Sequence, residues 1–301
     1  MPRTASPSRR SRLFRCAAAF AVLVALAGYV AVQYVSGHKG SPRCTVGPAD
    51  GGEGRTYELS PEMAANAATV SAVGTTRGMP ERAVTIALAT ALQESALRNI
   101  DYGDRDSLGL FQQRPSQDWG TPEQIMDPVY ASGEFYKHLA EVPGYSRLPL
   151  TEAAQRVQKS GFPQAYAKHE PDATLLSAAL TGRAPASLTC SLPTETASGP
   201  GDATEVRADL VRAFGKDVLP ATGTAGSSAG GTVSVPVGAA AKADGDASRR
   251  GWELAHWAVA RAGTLRIDEV SYAGQVWTAD TGWRTERKES GTTAVRMRLA
   301  Q

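Results

Sequence analysis

The sequence predicts a mainly α protein: a single N-terminal transmembrane helix, an all-α domain, a flexible linker and a small α+β C-terminal domain. Three observations predict it. Residues 16–35 carry no charge and follow five arginines, which is the length and flank of a membrane-spanning helix. Between residues 58 and 190, helix start and stop signals recur with apolar spacings of three and four and no convincing strand pattern. After a stretch poor in large apolar residues, the last fifty residues bring alternating patterns typical of strands.

Residues 1–15 read as a basic cytoplasmic tail and 16–35 as a signal anchor, because positive charge ahead of the apolar run keeps the N-terminus inside. Ala25-Leu26-Ala27 before Gly28 imitates a cleavage site, so a cleaved secretory signal is the rival reading. The apolar run continues past that point to Val35, which favours the uncleaved anchor. Either way the body of the chain is expected outside the cytoplasm. Cys16 falls in the apolar segment, which leaves Cys44 and Cys190 as an even pair in an oxidising compartment, and a disulfide between them is expected. The net charge of +2 is near balance and the clustered arginines are terminal, which argues against nucleic-acid binding.

Residues 36–57, rich in Gly, Pro and Ser, read as a tether. A helix then starts with Ser60 as cap, Pro61 at the first position and Glu62 in the first turn, and Gly78 stops it. Pro80 and Glu81 open a second. Thr121 caps a short turn, Asp127-Pro128 restarts the helix to about Ala140, Thr151 caps another, and a last one ends at Gly182. Residues 191–250 read as a low-complexity linker interrupted by one amphipathic stretch, with Val206, Leu210, Val211 and Phe214 at helical spacing. Residues 251–301 read as a small domain: a helix with Trp252, Ala255, Val259 and Ala262 on one face, then two or three antiparallel strands around a turn at Gly274. Trp252, Trp257, Trp277 and Trp283 there suit the core of a tiny domain better than a sugar- or partner-binding surface. A cell-wall protein is the partner such a domain would dock.

The chemistry gathers around Glu94. Ala83 to Leu92 contain no charge, and a stripe of small residues leads directly to this glutamate. A carboxylate there is partly desolvated and sits at the disfavoured end of the helix dipole; both effects stabilise its protonated form and bring it toward the range of a general acid. Fifteen residues later, Gly109-Leu110-Phe111-Gln112 sets a glycine beside amides able to hold hydroxyl or acetamido groups.

Glu94-Ser95, the fifteen-residue gap and "DSLGLFQQRPS" resemble the lysozyme-like superfamily of goose-type lysozymes and soluble lytic transglycosylases, over about residues 61–182. The chain also looks like an actinobacterial membrane-anchored branch of it. The resemblance implies a lysozyme-like helical domain that cleaves the β-1,4 bond between N-acetylmuramic acid and N-acetylglucosamine in peptidoglycan glycan strands. Glu94 would be the catalytic acid, with Ser95, Gly109, Leu110, Phe111, Gln112 and Tyr166 lining the substrate site. Phe111 stands where the family has methionine, and Ala167 where it has an asparagine after the tyrosine.

A transglycosylase needs no second carboxylate. A hydrolase would draw on Asp101, Asp104 or Asp106, which also read simply as turn residues. Trp119 and Tyr136 suit the core better than the cleft. His138, His169 and His256 lack ligand spacing, so neither a metal nor another cofactor is expected. A non-catalytic wall-binding or scaffold protein retaining the cleft is the alternative, consistent with the missing asparagine.

Overall fold

A computed structural model describes residues 19–29, 41–48, 54–162, 164–192, 199–219, 231–238, 244–286 and 293–301. Two units separate, 1–41 and 42–301. In the first, residues 19–29 are helical and exposed. The expected transmembrane helix over 16–35 is corrected here: among the described residues no helix is long and apolar enough to cross a membrane. Eleven helical residues rise only about 16 Å, roughly half a bilayer's apolar thickness. The rest of that span, and the basic tail 1–15, lie outside the described residues.

The second unit is built around helix α1, Pro61–Thr76. Ser60 caps it by accepting a hydrogen bond from the Met63 amide at 3.2 Å, with proline at the first helical position. Ala64 to Gly74 are buried without a break; a helix apolar on every side must be surrounded. Helices α2 (Glu81–Ser95), α4 (Pro128–Glu141), α6 (Glu170–Leu180), α7 (Ala203–Phe214) and α8 (Asp244–Leu265) pack against it. The one-turn α3 (Pro122–Ile125) precedes α4, and α5 (Leu150–Gln158) packs on α2 and α4. Gly74 lets α4 come close, since a Cβ there would stand 2.6 Å from the Tyr136 hydroxyl, which donates to the Val70 carbonyl at 3.0 Å. Tyr136 is therefore core.

The helical part is not all-α, a second correction. Strands β1 (Arg43–Val46), β2 (Tyr57–Leu59) and β3 (Leu188–Ser191) form an antiparallel sheet in the order β2-β1-β3. Strand β1 lies inside the stretch expected to be a tether. Four residues flanked by glycine and proline are too short for an alternating signal, and their partner is distant in sequence. Cys44 and Cys190 face each other across β1 and β3 and form a disulfide, their Cα atoms 3.9 Å apart.

Residues 42–301 cluster as one compact unit, and the stretch expected to be a linker holds regular elements. The amphipathic stretch is helix α7, with Val206, Leu210 and Phe214 buried. Thr232–Pro236 is strand β4, and α8 begins at Asp244. Strands β5 (Ile267–Tyr272), β6 (Gln275–Thr278), β7 (Gly282–Thr285) and β8 (Ala294–Leu299) complete an antiparallel sheet in the order β4-β8-β5-β6-β7. This sheet is fastened to the first: the indole N–H of Trp277 donates to Thr189 at 3.0 Å, and that of Trp283 to the Leu188 carbonyl at 2.8 Å. His256 of α8 donates through Nδ1 to the Ala179 carbonyl of α6 at 2.8 Å. Local composition hides these joints because each partner lies far away along the chain. Trp252, Trp257 and Trp277 are buried and Trp283 packs against the core.

Candidate functional site

Helix α2 ends in a tight closure that fixes Glu94 in its last turn. The Leu97 amide donates back to the Ala91 carbonyl at 3.0 Å and the Ala96 amide to Leu92 at 3.1 Å. Ala96 and Leu97 both take left-handed backbone angles, φ 53° and 58°, which non-glycine residues adopt only at a cost. Buried contacts hold them there: Leu97 is fully buried and its carbonyl accepts from Asn66 Nδ2 at 2.8 Å. Ala83 to Leu92 are all buried, so the apolar run before the glutamate is interior.

Glu94 is half-buried. Burial raises its carboxyl above the ordinary value for a glutamate, while hydrogen bonds from Tyr166 and Gln158 work in the opposite direction. The Tyr166 hydroxyl donates to Glu94 Oε1 at 2.7 Å. Burial first, and the neighbouring Glu94 charge second, push the Tyr166 hydroxyl well above its usual range, so it stays a donor.

Several residues singled out in the sequence meet here. Ser95 donates to the Leu110 carbonyl at 2.8 Å, tying the end of α2 to the loop that carries Gly109. Gly109 has φ 74°, and a Cβ would lie 2.7 Å from the Ile125 carbonyl, so glycine is required on both counts. Leu110 and Phe111 are fully buried. The Phe111 ring stacks on Phe135 at 4.6 Å and supports the site from inside the core. Gln112 donates through Nε2 to the Tyr102 and Gly109 carbonyls, both at 3.3 Å.

Gln158, the last residue of α5, was not singled out in the sequence. It favours the charged form of Glu94 and donates to the Phe111 carbonyl at 2.7 Å, setting it between the acid and the glycine loop. A glutamine before a helix stop carries no periodic signal. Gln112 and Gln158 both continue into a polar groove of about 470 Å³, which also includes Trp119, Arg114, Arg156 and Lys159. Trp119 lies against His138, ring centroids 4.3 Å apart.

The side-chain contacts of Asp106 and Asp104 are with other residues than Glu94. Asp106 accepts from Arg114 Nε at 2.8 Å through one oxygen and from the Ser116 amide at 2.8 Å through the other. Those bonds hold its carboxyl far below the usual range. Asp101 and Asp104 are exposed, Asp104 with Arg105 at 3.9 Å. Ala167, exposed in a short 3-10 turn, offers no polar side chain beside Tyr166. Among the described residues no group of three or more His, Cys, Asp or Glu could hold a metal ion.

Residues 201–297 match the family model described as VldE, C-terminal domain. The match begins just before α7 and ends within β8, so α7, β4 and α8 belong with the second sheet and Glu94 lies outside it. No curated protein matches the chain.

Proposed function

We propose that the chain is an exported peptidoglycan glycosidase of the lytic-transglycosylase kind, with Glu94 as its single general acid and base. The observation that carries this reading is the half-buried Glu94, its carboxyl raised by burial and held by Tyr166 at 2.7 Å. A raised carboxyl holds its proton to higher pH than an ordinary glutamate, which suits transfer to a glycosidic oxygen. The Cys44–Cys190 disulfide supports a location outside the cytoplasm.

The proton leaves Glu94 for the glycosidic oxygen as the bond from that oxygen to the muramyl anomeric carbon breaks. The muramyl 6-hydroxyl oxygen then bonds to the anomeric carbon, and its proton returns to Glu94. No water is consumed and the product ends in a 1,6-anhydro ring. The state of Asp106 favours this route over hydrolysis. A carboxylate with both oxygens bonded and its basicity lowered is a poor activator of water.

Ala167 favours a second reading, a wall-binding protein that retains the cleft without turnover, because Glu94 gains no support from that position. One experiment separates the two. The full-length chain and its Glu94→Gln variant are incubated with purified peptidoglycan, and soluble products are analysed by mass spectrometry. Anhydro-muramyl ends, absent with the variant, are expected. Reducing ends would indicate hydrolysis, and binding without release by the wild type would establish the second reading.

A further inference from the structure

A second cavity, of about 670 Å³, opens at the end of α2 opposite to Glu94. Its walls come from parts of the chain far apart in sequence: residues 75–81 and 181 on one side, residues 214–218 and 249–253 on the other. Binding sites concentrate at joints of this kind, and the volume lies within their usual range. The two sides meet beside the opening at Gly182, φ 72°, where a Cβ would stand 1.8 Å from the Arg249 carbonyl oxygen. The charges around the cavity divide into held and free. Glu253, only 6% exposed, accepts from the Thr75 hydroxyl through Oε1 and from Arg250 through Oε2 at 2.8 Å. Arg250 in turn lies over the Phe214 ring, 4.6 Å from its centroid. Arg183 Nε donates to both oxygens of Glu81, at 2.8 and 2.9 Å. Those groups make a fixed wall. Two of opposite sign are left over. Arg249 reaches only the carboxylate that Arg183 already holds, at 3.5 Å, and Asp217, in the 3-10 turn Lys216–Val218, has no ion-pair partner among the described residues. Met79, Phe214 and Val218 add apolar lining. A ligand with a single kind of charge would satisfy one free group and meet the other with like charge.

We infer that this cavity binds a small zwitterion with an apolar body, of the free dipeptide class, with Arg249 receiving its carboxylate and Asp217 its ammonium group. The site is separate from Glu94 and does not depend on the glycosidase reading. Because both sides of the joint line it, an occupant binds only the chain with the two sides packed together and stabilises that form. Arg249 and Asp217 are exposed, so each contact is modest and weakens as salt rises.

The test is calorimetric titration of the full-length chain at low salt with three probes: alanyl-leucine, its N-acetylated form and its C-terminal amide. The free dipeptide is expected to bind and to raise the melting temperature, and each cap should weaken binding about two- to fivefold. Asp217→Asn should erase the penalty of acetylation and keep that of amidation; Arg249→Gln should do the reverse. Arg249→Lys keeps the charge and should keep the preference for a free carboxylate. Unliganded melting curves matching the wild type show that the variants fold. No binding of the free dipeptide at millimolar concentration, caps without effect, or penalties unaltered in the matching variants would overturn the inference. Tighter binding of the amide would overturn it by making the cavity a cation site, and tighter binding of the acetylated form by making it an anion site. None of these results bears on Glu94.

Discussion

Acidification should unfasten α8 from the helical core through one side chain, His256. A carbonyl can only accept, so the 2.8 Å contact with Ala179 assigns the proton to Nδ1. Nε2 is then an unprotonated nitrogen, buried and without a partner among the described residues, near the rings of Trp252 and Trp283. Protonating it would put a charge in the core with nothing to receive it. Burial accordingly lowers the imidazole to about 4, with the Ala179 bond acting weakly the other way. The unfolded chain titrates near 6.5, so between about pH 6.5 and about pH 4 it binds the proton that the fold refuses. Stability is fully present above that window and is lost as pH falls through it, by ~3 kcal/mol in all. That is a large share of a typical domain's total.

The assay is urea denaturation followed by tryptophan fluorescence at steps from about pH 7.5 down to about pH 4.5, on the wild type and His256→Asn. The asparagine amide can replace the Nδ1–H donor but does not titrate. The variant should be less stable by ~1–2 kcal/mol at neutral pH, because it fills less volume. It should then match or exceed the wild type near pH 4.5, where most of the histidine contribution has gone. Carboxylates titrate in both proteins and cancel in the difference. A wild-type-minus-variant difference that stays constant across the whole range would refute the reasoning.

Four further outcomes are expected. Glu94→Gln should lower turnover by at least ~100-fold; since the raised carboxyl opposes stability as pH rises through its folded value, the variant should also melt higher at neutral pH, which differential scanning reads. Tyr166→Phe removes a hydrogen bond that favours the charged acid, so the alkaline limb of the pH–rate profile should move upward while the maximum rate falls about tenfold. Reducing Cys44–Cys190, or replacing both by serine, opens a loop with a sequence separation of 146 and should cost up to about 5 kcal/mol in a denaturation midpoint measured with and without reductant. Gly109→Ala should destabilise by ~1–3 kcal/mol by thermal melting, because φ 74° and the Ile125 carbonyl both oppose a Cβ.

Local signals announced themselves well. Ser60 and Pro61 mark the start of α1, and the uncharged run from Ala83 to Leu92 marks an interior helix that delivers Glu94 to its end. The cysteine pair was legible once Cys16 was set aside with the N-terminal apolar run, which left Cys44 and Cys190 to each other. What escaped was non-local. Strand β1 has too few residues to alternate and exists because β3 and the disulfide lie beside it. Helix α7 was visible as a pattern, but its place in the core depends on α1 and on the ring of Trp257, which meets Phe214 edge-on at 5.8 Å. At the site, Glu94 and Gly109 carry recognisable spacing, whereas Gln158 stands between them only because α5 brings it there. Pairings between distant segments leave little trace in any single window of sequence.

The burial of α1 on all sides has a consequence in time. Its covering is finished only when α8, which ends at Leu265, has been made. At ordinary translation speeds that interval is roughly ten to forty seconds. During it, the nascent chain holds an apolar helix with an unoccupied flank, so the newborn protein depends on a holding chaperone or on delayed collapse. A polypeptide stopped before residue 244 is expected to be an aggregating fragment, cleared by proteases, instead of a shorter folded protein.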